Sequence, residues 1–268
     1  MHNPDFVMIT GASEGFGKAL SLECASRHMN LALVALPGET LHDLARFIEK
    51  DFGVRAICYE LDLTNRQACY HLFDTIQKDG IVLDALINNA GIGGTHFFAE
   101  KEPEYFQRLI ELNVMAPTLL THLFLKQVKP LSRAFILNVS SLAACISLPR
   151  KQVYGGTKSY LLSFSKSLAW ELKKKNVHVS TICPGGMNTT LWQLVLNRSL
   201  SGISRWSVMN PEDVANIAID GMLKKKKLII PGWWNRFFMV LDRIMPCLIK
   251  EKLAEKVTNK QPKFILTN

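Results

Sequence analysis

The chain has 268 residues, 48% hydrophobic and 21% charged, with 16 Gly and 11 Pro; this excludes collagen-like, disordered and disulfide-scaffold proteins. A chain of this length buries a full core without metal or disulfide staples. The net charge is +9, but from Lys224 onward eleven Lys/Arg stand against three Asp/Glu, so the basic excess belongs to the tail and argues against the nucleic-acid partner that an evenly basic chain would suggest.

No window reaches the roughly 18 apolar residues of a spanning helix. Met1, His2, Asn3, Pro4 and Asp5 provide neither the basic nor the apolar region of a secretory signal. The six cysteines, at 24, 58, 69, 145, 183 and 247, form no Cys-x-x-Cys. They read as small buried side chains in a reducing, cytoplasmic setting. No metal site is expected.

In chain order, residues 6–10 read as a strand and 18–28 as a helix, with Gly11, Gly15 and Gly17 between them. A strand follows at 31–36, then a helix carrying Leu41, Leu44, Phe47 and Ile48. Further strands are expected at 54–59, 84–88, 134–139, 177–183 and 227–230. Helices are expected at 65–78, 103–129, 154–175 and 211–223. Strand and helix alternate with short connections, so the sheet is parallel and covered on both faces. The fold class is therefore α/β, a Rossmann-type doubly wound parallel sheet. One domain spans 1–230, and a basic, aromatic-rich extension spans 231–268.

The turn from Thr10 to Gly17 is suited to a phosphate. Glycines let the backbone turn tightly and approach a ligand, and the helix behind offers free N–H groups and a positive dipole end. The spacing is G-x-x-x-G-x-G, not the usual dinucleotide fingerprint. A Walker A loop would need Gly at 12 and Ser or Thr at 19, and both are Ala. In the second half, Tyr154 and Lys158 lie one helical turn apart and share a face. Ser141 follows a strand, where open α/β sheets bind ligands, and Asn113 falls inside the long helix before it. Singly, these residues read as a surface pair, a helix cap and a core amide.

Taken together, the chain resembles the short-chain dehydrogenase/reductase family from Phe6 to about Thr190, and more loosely to Pro231. The motifs are the turn from Thr10 to Gly17, Asp62, Asn88-Asn89-Ala90-Gly91, Asn113, Ser141, Tyr154-x-x-x-Lys158 and Pro184-Gly185-x-x-x-Thr189. The 13-residue interval between Ser141 and Tyr154 favours Ser141 over Ser140. The resemblance implies hydride transfer between a nicotinamide and a carbonyl or secondary alcohol. Asn113, Ser141, Tyr154 and Lys158 would be catalytic, with Tyr154 as acid/base, Ser141 on the substrate oxygen, and Asn113 holding a water that links Lys158 to a proton relay. Gly11, Ser13, Gly15, Phe16 and Gly17 would hold the cofactor's phosphates. Asp62 and Leu63 would lie beside the adenine, and Asn89, Ala90 and Gly91 beside its ribose. Lys158 would reach the nicotinamide ribose, and Pro184, Gly185 and Thr189 would flank the ring. An adjacent ammonium is expected to lower the phenol's pKa from about 10 toward neutrality.

The second strand ends without an acid for a ribose 2′-OH; no Arg stands there either, and Glu14 occupies a turn position where phosphate-binding relatives often have a base. Ser13 can donate to a phosphate, and NADP is expected over NAD. The substrate segment holds Leu191, Trp192, Leu194, Val195, Leu196, Ile203 and Trp206, which suits an apolar, steroid-like or acyl-chain substrate or ordinary core packing. The tail from Trp233 to Ile249 reads either as a helix packed over the body as a lid or as an amphipathic helix on an anionic bilayer. The helices at 103–129 and 152–175 are expected to pair copies into a homodimer or homotetramer. The competing function is a non-catalytic nucleotide-binding scaffold or redox sensor, which would not need all four catalytic positions.

Overall fold

Apolar runs become strands here because helices cover both faces of the sheet. The computed structural model describes residues 3–129, 132–189, 207–246 and 249–252. Its strands are β1 (Phe6–Thr10), β2 (Asn30–Ala35), β3 (Ala56–Glu60), β4 (Ala85–Asn88), β5 (Ala134–Val139), β6 (Val177–Ile182) and β7 (Leu228–Ile229). They form one parallel sheet in the order β3-β2-β1-β4-β5-β6-β7. The order reverses between β1 and β4, and open sheets bind ligands in the crevice outside the carboxyl ends at such a reversal.

The helices are α1 (Gly15–Ser26), α2 (Glu39–Phe52), α3 (Arg66–Lys78), α4 (Pro103–Ile110), α5 (Ala116–Gln127), α6 (Gln152–Glu171), α7 (Pro211–Leu223) and α8 (Trp233–Ile244). Leu20, Leu41, Ile48, Val214 and Ile219 from α1, α2 and α7 build the core on one face. Leu72, Ile76, Leu120 and Phe124 from α3 and α5 build it on the other.

Three boundaries differ from expectation in ways that matter. The first helix starts at Gly15 rather than Lys18, which places Gly15 and Gly17 in its first turn. The last of the long helices, α6, ends at Glu171 and passes into a 3₁₀ turn, Leu172–Lys174, before β6. The helix expected over 103–129 is two helices joined by a π-helical turn, Glu111–Met115, in which the Ala116 N–H bonds the Glu111 carbonyl. Pro117 explains the break: it has no N–H to give the Asn113 carbonyl.

A buried polar chain ties the sheet's carboxyl edge to the helices above it. Asn88 Nδ2 donates to Thr121 Oγ1 (3.1 Å) and to Asn138 Oδ1 (2.8 Å). Asn138 Nδ2 donates to Ser165 Oγ (2.7 Å). The ends of β4 and β5 are thus keyed to α5 and α6, the helices nearest the candidate site.

The extension docks on this edge through α8. Asn235, almost wholly buried, donates from Nδ2 to the carbonyls of Pro231 (2.8 Å) and Ser207 (3.3 Å). Arg236 Nε donates to the Ile230 carbonyl (2.9 Å). Met239 packs on the small cluster of Leu162, Cys183 and Ile230.

Candidate active site

Between β1 and α1 the backbone turns through left-handed Gly11 (φ 64°) and Gly15 (φ 56°). A Cβ on Gly17 would fall 1.8 Å from the Gly11 carbonyl oxygen, so the turn closes only with glycine. Its other clamp is Asn89, whose Nδ2 donates to the carbonyls of Thr10 (2.9 Å) and Gly11 (3.2 Å). Thr10 Oγ1 in turn accepts from the N–H groups of Asn89 (2.9 Å) and Ala90 (3.0 Å). The Asn89 side chain, expected beside a ribose, holds the turn. Helix α1 has no side-chain cap hydrogen bond and no acid in its first turn, so its first N–H groups are open to an anion, although its N-cap residue is the exposed Glu14. Ser13 stands in that turn, whereas the side chain of Phe16 is buried in the core.

Along the same edge, Asp62 Oδ1 accepts from the Thr64 N–H (2.9 Å) and hydroxyl (2.8 Å), and Oδ2 lies 3.8 Å from Arg108. The Leu63 side chain is buried in the core, so its backbone alone can face an adenine. The second strand ends without an acid of its own, but an acid of β3 stands beside that end. Glu60, paired with Ala35 across the sheet, accepts from the Gly38 N–H (2.8 Å) in the β2–α2 turn and lies 3.4 Å from His42. The Gly38 N–H holds its carboxyl below the usual range.

Ser141, Tyr154 and Lys158 converge at the ends of β5 and α6. Ser141 caps the 3₁₀ turn Leu142–Ala144, accepting from the Ala143 N–H (3.2 Å), and is in hydrogen-bond contact with the Tyr154 phenol. Ser140, by contrast, donates to the Lys158 carbonyl (2.8 Å) and is buried. Lys158 is also buried, and its Nζ donates to the Val139 carbonyl (2.9 Å). Burial pulls its pKa down to about 8. Tyr154 goes the other way from the sequence expectation: burial raises the phenol by more than its hydrogen bond with Ser141 lowers it. The Lys158 ammonium meanwhile donates to the Val139 carbonyl and sits 5.9 Å from the centre of the phenol ring.

Asn113 occupies the π-helical turn with its amide fully used. Oδ1 accepts from the Ile92 N–H (3.0 Å), while Nδ2 donates to the Ile92 carbonyl (2.9 Å) and Thr157 Oγ1 (3.2 Å). A Cβ on Gly91 would lie 2.9 Å from Asn113 Oδ1 and 3.3 Å from Lys158 Nζ, so Asn113 and Lys158 face one another across the bare Gly91. At the far side, the Pro184 carbonyl accepts from the Leu142 N–H (2.9 Å), and a Cβ on Gly185 would lie 2.7 Å from Asn235 Oδ1. Thr189 lies against Gly15, 3.3 Å from where a Cβ would be. The substrate residues expected at 191–206 lie outside the described residues. Cys145 and Cys183 also meet here: the Cys183 thiol donates to Cys145, lowering Cys145 to about 7 and raising Cys183.

Long-range contacts bring in residues that local reading missed. Glu60 and Asn235 reach the site from β3 and α8. Pro117 was the one local signal, since a proline inside an apparent helix marks an interruption.

The family model described as short chain dehydrogenase matches residues 5–198, and the chain belongs to that family. It is 30% identical to human 17-beta-hydroxysteroid dehydrogenase type 3 over 190 residues, 69% of this chain and 60% of that protein. It therefore spans about three fifths of that relative's length. It is 28% identical to the 3-oxoacyl-[acyl-carrier-protein] reductase of Aquifex aeolicus, over 79% of this chain and 87% of that one. The crystal structure of L-sorbose reductase from Gluconobacter frateurii complexed with NADPH and L-sorbose superposes with a TM-score of 0.77 at 26% identity, covering 85% of this chain and 95% of that one.

Lys158 gives this site a pH signature. A lysine held near pH 8 when folded and near 10.4 when unfolded destabilises the fold fully below the lower value, and the penalty disappears as pH rises through that window. Replacing it in the cofactor-free protein should therefore stabilise at pH 7, by about 3 kcal/mol less about 1 kcal/mol for the orphaned Val139 carbonyl. Urea denaturation of Lys158→Met and wild type should show the advantage shrinking from pH 7 to 10. A difference independent of pH would contradict the burial assignment.

Proposed function

We propose that the chain is a nicotinamide-dependent oxidoreductase that interconverts a carbonyl and a secondary alcohol, with Tyr154 transferring the proton. The observation that carries this reading is the convergence of Tyr154, Ser141 and Lys158 beside a turn so tight that a Cβ at position 17 would overlap the Gly11 carbonyl. A non-catalytic scaffold has no use for that convergence.

The turn's bare backbone and uncapped helix fit a pyrophosphate, which Gly11, Ser13, Gly15, Phe16 and Gly17 would hold. Asp62 and the Leu63 backbone would border the adenine, and Ala90 and Gly91 the ribose. Pro184, Gly185 and Thr189 would border the nicotinamide, with Lys158 at its ribose. When bound, the nicotinamide supplies or accepts the hydride. Tyr154, kept protonated at neutral pH by burial, donates its proton to the carbonyl oxygen as negative charge develops there. Ser141 donates a hydrogen bond to the same oxygen. The phenolate left behind is stabilised by the Lys158 ammonium across a low-dielectric gap. A phenol protonated at neutral pH suits reduction, so the favoured direction there is carbonyl to alcohol. Asn113 positions the Ile92 backbone and α6 through Thr157.

For the cofactor, β2 ends at Ala35 and continues into exposed Leu36, without the acid that would bond a 2′-OH. Ser13 supplies a hydroxyl to a phosphate. The Glu60 carboxylate is engaged by the Gly38 N–H and lies beside His42. These features favour NADPH, the cofactor in the sorbose reductase complex. An apolar substrate is favoured by exposed Phe98 near Tyr154 and by relatives named for hydroxysteroids and 3-oxoacyl groups.

Two surfaces suggest partners. Ile110, Met115, Tyr160 and Trp170, the last 67% exposed, leave apolar area on α4, α6 and the turn between α4 and α5, where a second copy would pair. On α8, Trp233, Phe237, Val240 and Ile244 recur at helical spacing on the side away from Asn235, with Trp233 63% and Ile244 72% exposed. Among the described residues no helix is long and apolar enough to cross a membrane. This stripe and the basic tail match peripheral contact with an anionic lipid surface from the cytoplasmic side, while the Asn235 face serves the packing role over the nicotinamide end.

Three measurements follow. Tyr154→Phe should lower NADPH-dependent reduction of an apolar ketone such as 2-decanone by roughly 10²–10⁴-fold, with NADPH affinity by fluorescence titration nearly unchanged. Comparable turnover would remove Tyr154 from its role, and no turnover by wild type across a ketone and alcohol panel with either cofactor would end the oxidoreductase reading. NADPH should bind more tightly than NADH, and Glu60→Gln should widen the gap by removing a negative charge near the ribose; a preference for NADH of about tenfold would contradict this. Co-sedimentation with phosphatidylglycerol vesicles should weaken at high salt and fall in a Trp233→Ser/Phe237→Ser/Ile244→Ser variant, whose changes are all on exposed residues. Absence of vesicle binding would leave α8 its packing role alone.

A further inference from the structure

The reaction proposed above leaves a group of cations beside Tyr154 without a task. Gly94, His96 and Phe98, one face of α4 and residues 150–154 at the start of α6 line a narrow cleft that Tyr154 borders. Lys151 Nζ lies 5.2 Å from the centre of the Tyr154 ring, nearer than Lys158. It donates one long hydrogen bond, 3.4 Å to the Gly94 carbonyl. The neighbouring Arg150 holds its guanidinium 3.9 Å over the Phe97 ring. It does so from a left-handed backbone (φ 62°), with its carbonyl accepting from the His96 N–H (3.0 Å). A non-glycine residue persists in that conformation only where its surroundings hold it, and such strain gathers at functional sites.

Neither cation has a counter-charge. Among the described residues, no Asp or Glu oxygen lies within 4.0 Å of Arg150 or Lys151. The substrate segment 190–206 contains no acid at all. The first turn of α6 has none either, so its positive dipole end adds to the field. Lys101 contributes a third cation, 5.3 Å from the centre of the Tyr105 ring. Glu100 is the one acid whose charge registers on His96, against Lys101 and Lys151. Partial burial of an unpaired ammonium is unfavourable, and it pulls Lys151 below the usual lysine range. A bound anion would remove that penalty. Next to the cations the walls are apolar, with the Phe98 and Phe106 rings stacked at 4.9 Å.

We propose that this cleft selects substrates bearing an acidic group, carboxylate or phosphate, which Lys151 and Arg150 hold while the apolar body lies along Phe98 and Phe106. The inference rests on the reading of Tyr154 as the reacting group, because it places the acid close to the carbonyl being reduced. Lys151 and Arg150 are then specificity-determining residues, separate from the proton transfer.

Isothermal titration of the NADPH-saturated protein with decanoate, decyl phosphate and methyl decanoate tests it without turnover. Wild type should bind at least one of the acids about tenfold tighter than the ester (about 1.4 kcal/mol), and the tighter acid names the group. Lys151→Met should bring the ratio below about threefold, while Lys151→Arg should keep it. Equal binding of acids and ester by wild type overturns the proposal even where a variant fails to fold, and so does a Lys151→Met protein that keeps the discrimination. Reduction of 2-decanone, which carries no acid, reads the oxidoreductase activity separately. Loss of that activity with the acid preference intact counts against the proposed reaction, and the reverse result counts against the anion site.

Discussion

The Lys158 ammonium, 5% exposed and donating to the Val139 carbonyl, is the constraint around which this edge of the sheet is arranged. Isolated buried charge costs several kcal/mol, and among the described residues no carboxylate comes within ion-pair range of it. Its neighbours are shaped to keep it in place. Ser140 bonds the lysine's own carbonyl, fixing α6 against the end of β5. Gly91 leaves the space a Cβ would take beside Nζ. The Asn88–Asn138–Ser165 chain holds β4, β5 and α6 in register beneath it. A purely structural core would place leucine there, so the charge is held for what approaches the sheet edge.

The same edge explains why the site is assembled from distant parts of the chain. Every strand runs in one direction, so the loops after β1, β4, β5 and β6 open on the same side. Gly17 fits against Gly11 only if both lack side chains, and Asn89 from the next strand in the sheet ties that turn shut. The turn and the Tyr154 region are thereby linked through residues 89–92, whose far end bonds Asn113. The extension contributes to this edge as well, since Asn235 packs against Gly185 beneath one face of α8.

Much of this was legible in the sequence, and the exceptions have physical causes. Alternating apolar runs and helical spacings gave the parallel sheet, because burial on both faces leaves few other arrangements. The pairing of Tyr154 with Lys158 came from helical spacing, and the choice of Ser141 over Ser140 from the interval to Tyr154 that the family resemblance implies. The state of the phenol did not. Proximity of Lys158 suggested a lowered pKa, but desolvation of the buried phenol prevails. The break at Asn113 was marked by Pro117, yet apolar periodicity continued through it. Glu60 and Asn235 reach the site through tertiary contacts that no local pattern records. The acid-free cleft at Lys151 likewise depends on which side chains the fold leaves apart.

The central claim is that Tyr154 completes a hydride transfer between a nicotinamide and a substrate carbon, and isotope transfer tests it most directly. NADPH carrying deuterium at nicotinamide C4, on each face in turn, would be incubated with 2-decanone and the alcohol analysed by mass spectrometry. The account predicts one deuterium on the carbinol carbon from one of the two labelled faces. Alcohol formed without label from either face, or NADPH bound and oxidised with no alcohol formed, would contradict it.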